Sequence, residues 1–286
     1  MDATPEQIGQ AVETTGRSLE VETAKALLRP MAHLPKLGEV HLGSYYQDFL
    51  SEKMRELDVL YVGRNTGKFG DSEVKCKLHV LLSCKGFPKN RAPIAYTVSS
   101  DEIAEYRMPS VLHSIESSVS RSQLGAWAAQ RLLTQMGHPV GRSTGARRRI
   151  VGFDVVEEEK GKLKPLGDRA IFEGLDSAMK ASHWWKRATT PTGYFSNLFV
   201  PVLVLSQPWW SVPLDDDPAA PVLEHCGFVS SLYPDDSAEG KASTLFCLVV
   251  ARELLDRLGN AVTMLLANFP EVTARAFQAG SYIISE

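Results

Sequence analysis

The 286-residue chain is 44% hydrophobic and carries a formal net charge of −3, which suits a globular protein with a real core and argues against one that coats nucleic acid through bulk positive charge. No stretch approaches the roughly 20 uninterrupted apolar residues of a membrane helix, and the polar, acidic start Met1–Gln10 lacks the basic and apolar regions of a secretory signal, so a cytoplasmic protein with no membrane partner is expected. Cys76, Cys84, Cys226 and Cys247 are too few for a disulfide scaffold and have no metal-ligand spacing, so they read as separate reduced thiols.

Taken in chain order, Thr14–Leu28 is predicted to be a helix closed by Pro30, with Leu19, Val21, Ala24, Leu27 and Leu28 on a broad apolar face. Glu20 falls near the middle of that face, where a carboxylate needs a partner. Glu56–Val62 and Lys77–Cys84 have strand composition, and the polar segment Gly63–Glu73 between them reads as a loop. An antiparallel pair with that connection brings the start of the first strand, Asp58, beside the end of the second, at Ser83 and Lys85.

Further along, Ser110–Met136 is predicted as a long helix, Ile150–Val156 as a strand, Arg169–Trp185 as a helix and Phe199–Leu205 as a buried strand. Asp215–Pro221 reads as a surface loop, Thr244–Ala251 as a strand or the start of a helix, and Arg252–Ala267 as a helix. Alternating strands and helices give an α/β fold. There is no repeat or linker tract; Val212–Pro221 is the best candidate boundary, and a single domain spanning residues 1–286 is expected.

Leu19-Glu20, Arg55-Glu56-Leu57-Asp58-Val59 and Ser83-Cys84-Lys85 occur in an order and spacing that resembles the PD-(D/E)XK nuclease superfamily, closest to its Mrr-like restriction-endonuclease branch. In that branch a helix carrying Glu precedes a strand of the type REIDV and a strand ending in ECK. The resemblance covers about the first ninety residues, and Ser83 stands where the family has an acid. It implies a restriction-endonuclease-like central mixed sheet flanked by helices, and a metal-dependent endonuclease cutting DNA, with a place in restriction or anti-phage defence. The implied catalytic residues are Glu20, Asp58 and Lys85.

Phosphodiester hydrolysis gathers a water, an anionic phosphate and a leaving oxygen, and a hard cation organises all three. Mg2+, or Mn2+ in its place, takes oxygen ligands and keeps several waters, so Asp58, Glu20 and the backbone near Ser83 or Cys84 can suffice, while Lys85 stabilises developing negative charge. Each residue also has a plainer reading. Asp58 can open a strand in an ion pair with Arg55 or Lys85, Glu20 can pair with a basic residue, and Lys85 can mark the strand's exit to solvent. Ser83 leaves open a second function, a catalytically weakened nuclease-fold protein that binds nucleic acid or serves as a subunit of a larger complex.

Arg142, Arg147, Arg148 and Arg149 lie in the basic run Gly141–Arg149 and, with Lys89 and Arg91, are candidates for contacting a DNA backbone; a solvated loop is the alternative. Lys75 and Lys77 join that surface only if strand alternation permits. A homodimer suits two cuts on antiparallel strands, and a helicase or methyltransferase subunit is a further partner the resemblance suggests. Gly63-Arg-Asn-Thr-Gly67-Lys68 is a poor phosphate loop, having three residues between its glycines and Phe69 after the lysine. The pairs Trp184-Trp185 and Trp209-Trp210 fit core packing or stacking on bases, and His183 and His225 complete no metal-ligand spacing.

Overall fold

Helix α1 (Arg17–Leu28) passes through a 3-10 turn, Arg29–Met31, that contains the expected terminator Pro30. The computed structural model describes residues 4, 17–31, 38–48, 51–99, 111–115, 121–137, 148–189, 195–214, 220–234 and 242–283, so Thr14–Gly16 lie outside the described residues. Leu19, Ala24 and Leu27 are buried as the helical period predicts, but Val21 and Leu28 are about two-fifths exposed, so the apolar stripe is narrower than expected.

Strand β1 (Gly38–Gln47) opens an antiparallel meander with β2 (Met54–Phe69) and β3 (Ser72–Lys85). The expected loop Gly63–Glu73 is therefore almost wholly strand: pairing runs unbroken to Phe69↔Ser72, and the turn is only Gly70 and Asp71. Its glycines have a packing role. A Cβ on Gly63 would stand 2.6 Å from Leu266 Cδ2, and one on Gly67 would stand 2.5 Å from Pro270 Cβ, so both admit a helix against the strand. This position also disposes of the phosphate-loop reading.

The chain continues through β4 (Arg91–Ser99), β5 (Leu112–Ile115), α2 (Arg121–Gln135), β6 (Arg148–Glu159), β7 (Lys162–Pro165) and α3 (Arg169–Ala188). It ends with β8 (Phe195–Leu205), β9 (Trp209–Pro213), β10 (Val222–Glu224), β11 (Cys226–Pro234), β12 (Ala242–Ala251), a 3-10 turn Arg252–Leu254 and α4 (Leu255–Ile283). The strands form one mixed sheet in the order β1-β2-β3-β8-β12-β11-β6-β4-β9-β10, with β5 beside β8 and β7 beside β6. β9 and β10 pair across the segment that looked most like a domain boundary.

Three expectations are corrected by these elements. The expected helix Ser110–Met136 instead contains strand β5, and its described helical part is Arg121–Gln135. The basic run does not stay outside the strand, because β6 starts at Arg148. The last helix runs well beyond Ala267, through Pro270. Proline has no N–H to give the carbonyl four residues back, and Asn65 Nδ2 supplies the missing donor to Leu266 O at 3.0 Å.

β3, β8 and β12 run parallel at the centre, covered on both faces, so they read as nearly continuous apolar runs. One face packs Val59, Val80, Leu82, Val202 and Leu248 under α1, α2 and α4; the other packs Leu60, Leu81, Leu203 and Val249 under α3. Pro201 is tolerated in central β8 because it falls between the last β5 pair, at Phe199, and the first β12 pair, at Val202. α1 and α4 cross in backbone contact, since a Cβ on Gly259 would lie 2.1 Å from Ala26 O. Trp209 is fully buried, and Trp184 and Trp185 meet edge to face at 5.0 Å against the α3-side core, which favours packing for these tryptophans. Among the described residues, no helix is long and apolar enough to cross a membrane.

Candidate active site at the fork between two strands

β3 outruns its partner. It stays paired with β8 as far as Lys85↔Leu205, whereas its pairing with β2 ends at Val59↔Leu82. On the other edge of β2, the pairing with β1 skips the step between Leu42↔Val59 and Ser44↔Leu57, where Gly43 takes a φ of 63°. Asp58 therefore sits where β2 leaves the ladder, facing a fork bounded by Ser83 and Cys84.

The Asp58 carboxylate completes the interrupted ladder. Its Oδ2 accepts the Cys84 backbone N–H at 2.6 Å and the Ser83 hydroxyl at 3.0 Å. The expected approach of Asp58 to the end of β3 is thus present in the geometry. Because the N–H and C=O of one strand residue point to the same edge, the Cys84 carbonyl also faces the fork. Among the described residues, Asp58 Oδ1 accepts no hydrogen bond. Ser83 is 2% exposed, so its hydroxyl is closed in and oriented by Asp58. The Cys84 side chain points away, toward Thr23 Oγ1 at 3.8 Å, and burial pushes its thiol above the ordinary range.

Glu20 reaches this neighbourhood from α1 and is only 6% exposed. Burial raises its pKa, the Arg17 hydrogen bond opposes that shift, and the negative charge of Asp58 adds to it. Glu20 stands one helical turn before Thr23, whose contact with Cys84 places α1 against the end of β3. The partner that the sequence reading required for Glu20 is Arg17, whose Nη1 donates to Glu20 Oε2 at 2.8 Å. Arg17 Nη2 is 3.7 Å from Glu56 Oε1, and Glu20, Glu56 and Asp58 all hold its guanidinium more firmly charged. Arg17 and Glu56 were not among the sequence candidates; an arginine three residues before Glu20 on one helix face was the available signal.

Lys85 lies to the α3 side. A Cβ on Gly174 would stand 2.8 Å from Lys85 Cε and 3.1 Å from Cγ, so the missing side chain in α3 is what lets the lysine stem lie flat. Lys85 forms no ion pair with Asp58, and among the described residues its ammonium has no hydrogen-bonding partner. It contributes instead to holding the Glu173 carboxyl below its usual range, behind the stronger effect of the Arg169 hydrogen bond. The end of β1 is fastened to the same helix: buried Asp48 accepts from Lys180 Nζ at 3.2 Å, and the Tyr46 hydroxyl donates to Ser177 Oγ at 3.2 Å. This clamp, also missed in the sequence, fixes the β1–β2 end beside the fork.

The proposed DNA contacts fare unevenly. Arg142 and Arg147 lie outside the described residues, and Arg148 pairs through its backbone with Ser99 in β4. Arg149 is not a solvated loop cation, because it sits in β6 and its Nη1 donates to Ser230 Oγ at 3.3 Å. Arg91 is engaged by Glu157 at 2.9 Å. Lys89 is exposed in the turn after β3. Lys75 and Lys77 do not flank the site: Lys75 is about 30 Å along the strand from Lys85 at ~3.3 Å per residue.

Asp58, Glu20 and the Cys84 carbonyl are oxygen donors of the kind that Mg2+ takes alongside waters. Among the described residues, no group of three or more His, Cys, Asp or Glu side chains is assembled to hold a metal ion, so a cation here would have to rest on two carboxylates and backbone. His225 pairs with Glu253 at 3.8 Å and His183 is buried in α3, neither at the fork. The four cysteines are free thiols. Compared with known proteins, the chain matches no protein-family model, no curated protein and no solved structure.

Proposed function

We propose that the chain is a restriction-endonuclease-like, metal-dependent endonuclease that cleaves DNA in the cytoplasm, in restriction or anti-phage defence. The observation that carries this reading is the fork itself. An acid on one strand meets the end of its neighbour where the ladder opens, with a second acid supplied from a preceding helix and a lysine two residues beyond Ser83. Asp58 Oδ1, Glu20 and the Cys84 carbonyl would hold Mg2+ or Mn2+. When bound, the cation lowers the pKa of a coordinated water and stabilises charge developing on the phosphate.

The chain's own groups have separate duties. The Ser83 hydroxyl and the Cys84 N–H hold Asp58 Oδ2, leaving Oδ1 without a hydrogen bond among the described residues. Lys85 brings a positive charge to a phosphate entering from the α3 side. Lys89 and whatever face Arg142, Arg147, Arg148, Arg149 and Arg91 present would position the duplex backbone without reading its bases. Two-fold pairing of two such chains would serve cleavage of both strands, and a helicase or methyltransferase subunit is the partner that a defence role favours.

A second reading is favoured by one specific contact. Ser83 occupies the place of an acid and spends its proton on Asp58, which removes a carboxylate and engages another. A protein so weakened would bind nucleic acid, or serve as a subunit, without cutting. Incubating the purified protein with plasmid, linear duplex, single-stranded DNA and RNA, each with Mg2+, Mn2+ or EDTA, decides between the two. Metal-dependent products support the nuclease; retention of nucleic acid without any product supports the weakened form.

A further inference from the structure

We infer that Arg17 is the internal counter-ion of the fork, a positioning residue that a divalent cation must displace to bind; this rests on the metal-dependent reading above. Glu20 is a carboxylate in a place that disfavours its charge, being 6% exposed and one helical turn before Thr23, whose Oγ1 lies 3.8 Å from Cys84 Sγ at the fork. A buried anion requires a cation or hydrogen-bond donors. The structure answers that requirement with Arg17, hydrogen-bonded to Glu20 Oε2 at 2.8 Å, near Glu56 Oε1 at 3.7 Å and within the field of Asp58.

The two ends of this pair have unequal freedom. The Glu20 side chain is 8% exposed and fixed by helix packing, whereas Arg17 is 61% exposed, one turn earlier at the start of α1. The guanidinium can swing into water at little cost while the carboxylate stays. Metal binding is thus an exchange of one cation for another at a fixed anion, and Arg17 sets how strongly metal must compete. Once released, its guanidinium stands at the mouth of the fork with planar donors suited to a phosphate oxygen.

The test is Mn2+ binding by calorimetry, with melting temperatures, on the full chain as wild type, Arg17→Gln, Arg17→Lys and Asp58→Asn. Arg17→Gln is expected to bind Mn2+ about fivefold more tightly than wild type, in line with a partly exposed ion pair. Arg17→Lys, which keeps the charge, should remain within about twofold of wild type. Asp58→Asn should abolish binding. Measurable binding in Arg17→Gln alone also supports the exchange. If Asp58→Asn loses metal but Arg17→Gln binds no more tightly than wild type, Arg17 is not the competing cation and only this inference is overturned. It is overturned equally if Arg17→Lys tightens binding as much as Arg17→Gln. If Asp58→Asn binds like wild type, or no variant binds, the metal-dependent reading falls and takes this one with it.

Discussion

Replacing Asp58 by alanine or by asparagine separates what the side chain does for the fold from what it does for chemistry. Alanine removes the acceptor from the Cys84 N–H and the Ser83 hydroxyl together, at the one step where β2 no longer supplies a backbone carbonyl to β3. A hydrogen bond to a charged group contributes about 1.5–3 kcal/mol, and an orphaned buried donor costs about 1–3 kcal/mol. Asp58 is only half-buried, so water can reach the vacated donors and a net loss of about 2–3 kcal/mol is expected. For a chain of this size that lowers Tm by about 3–5 °C. Asparagine can place its carbonyl oxygen where Oδ2 stands and accept from both the Cys84 N–H and the Ser83 hydroxyl, so its loss should stay under about 1 kcal/mol. Urea unfolding and thermal melts of the three proteins measure the contrast. An alanine variant as stable as wild type would mean that this carboxylate does not complete the ladder.

Three other substitutions probe the frame around the site. Gly259→Ala forces a Cβ to within 2.1 Å of Ala26 O, a backbone atom that cannot swing aside, so α1 and α4 must separate at a cost of about 3 kcal/mol or more; unchanged urea stability would contradict that crossing. Asn65→Ala orphans Leu266 O and should cost about 1–3 kcal/mol, but much less in a Pro270→Ala background, where the restored N–H serves that carbonyl; additive losses in the double-mutant cycle would count against the substitution of one donor for the other. His79, buried and stacked on Phe199 at 4.8 Å, is lowered from 6.5 to about 4 by burial, partly offset by Asn197. Its contribution is complete above the unfolded value and is lost as pH falls from 6.5 toward 4, by on the order of 3 kcal/mol. His79→Phe should flatten stability over that window, and an unaltered pH profile would show that another group governs it.

What could be read in the sequence was what a short window contains. The Val- and Leu-rich runs around Val59 and Val80 announce strands, and the helical period around Leu19 places Glu20 inward, where it is found. Asp58 meets Ser83 because hairpin geometry follows from two such runs in succession. The errors came from residues whose role is set across the fold. Gly63 and Gly67 look like loop residues until Leu266 and Pro270 are packed on them, some two hundred residues later. Pro270 looks like a terminator until Asn65 supplies the donor it lacks. β1 is half exposed and interrupted by Gly43, so its composition carries little alternation to detect, and Arg17 gains meaning only beside acids from another element.

Metal-dependent cleavage at the fork is tested most directly by the nicking of supercoiled plasmid by wild type and Asp58→Asn, each with Mn2+, Mg2+ or EDTA, at matched folded concentration. Nicked or linear product is expected from wild type only when metal is present, with a fall of at least about a hundredfold in rate for the asparagine variant, which keeps the fork but not its charge. Equal cleavage by the two proteins, or wild-type cleavage that persists in EDTA, would contradict a metal-dependent site at Asp58.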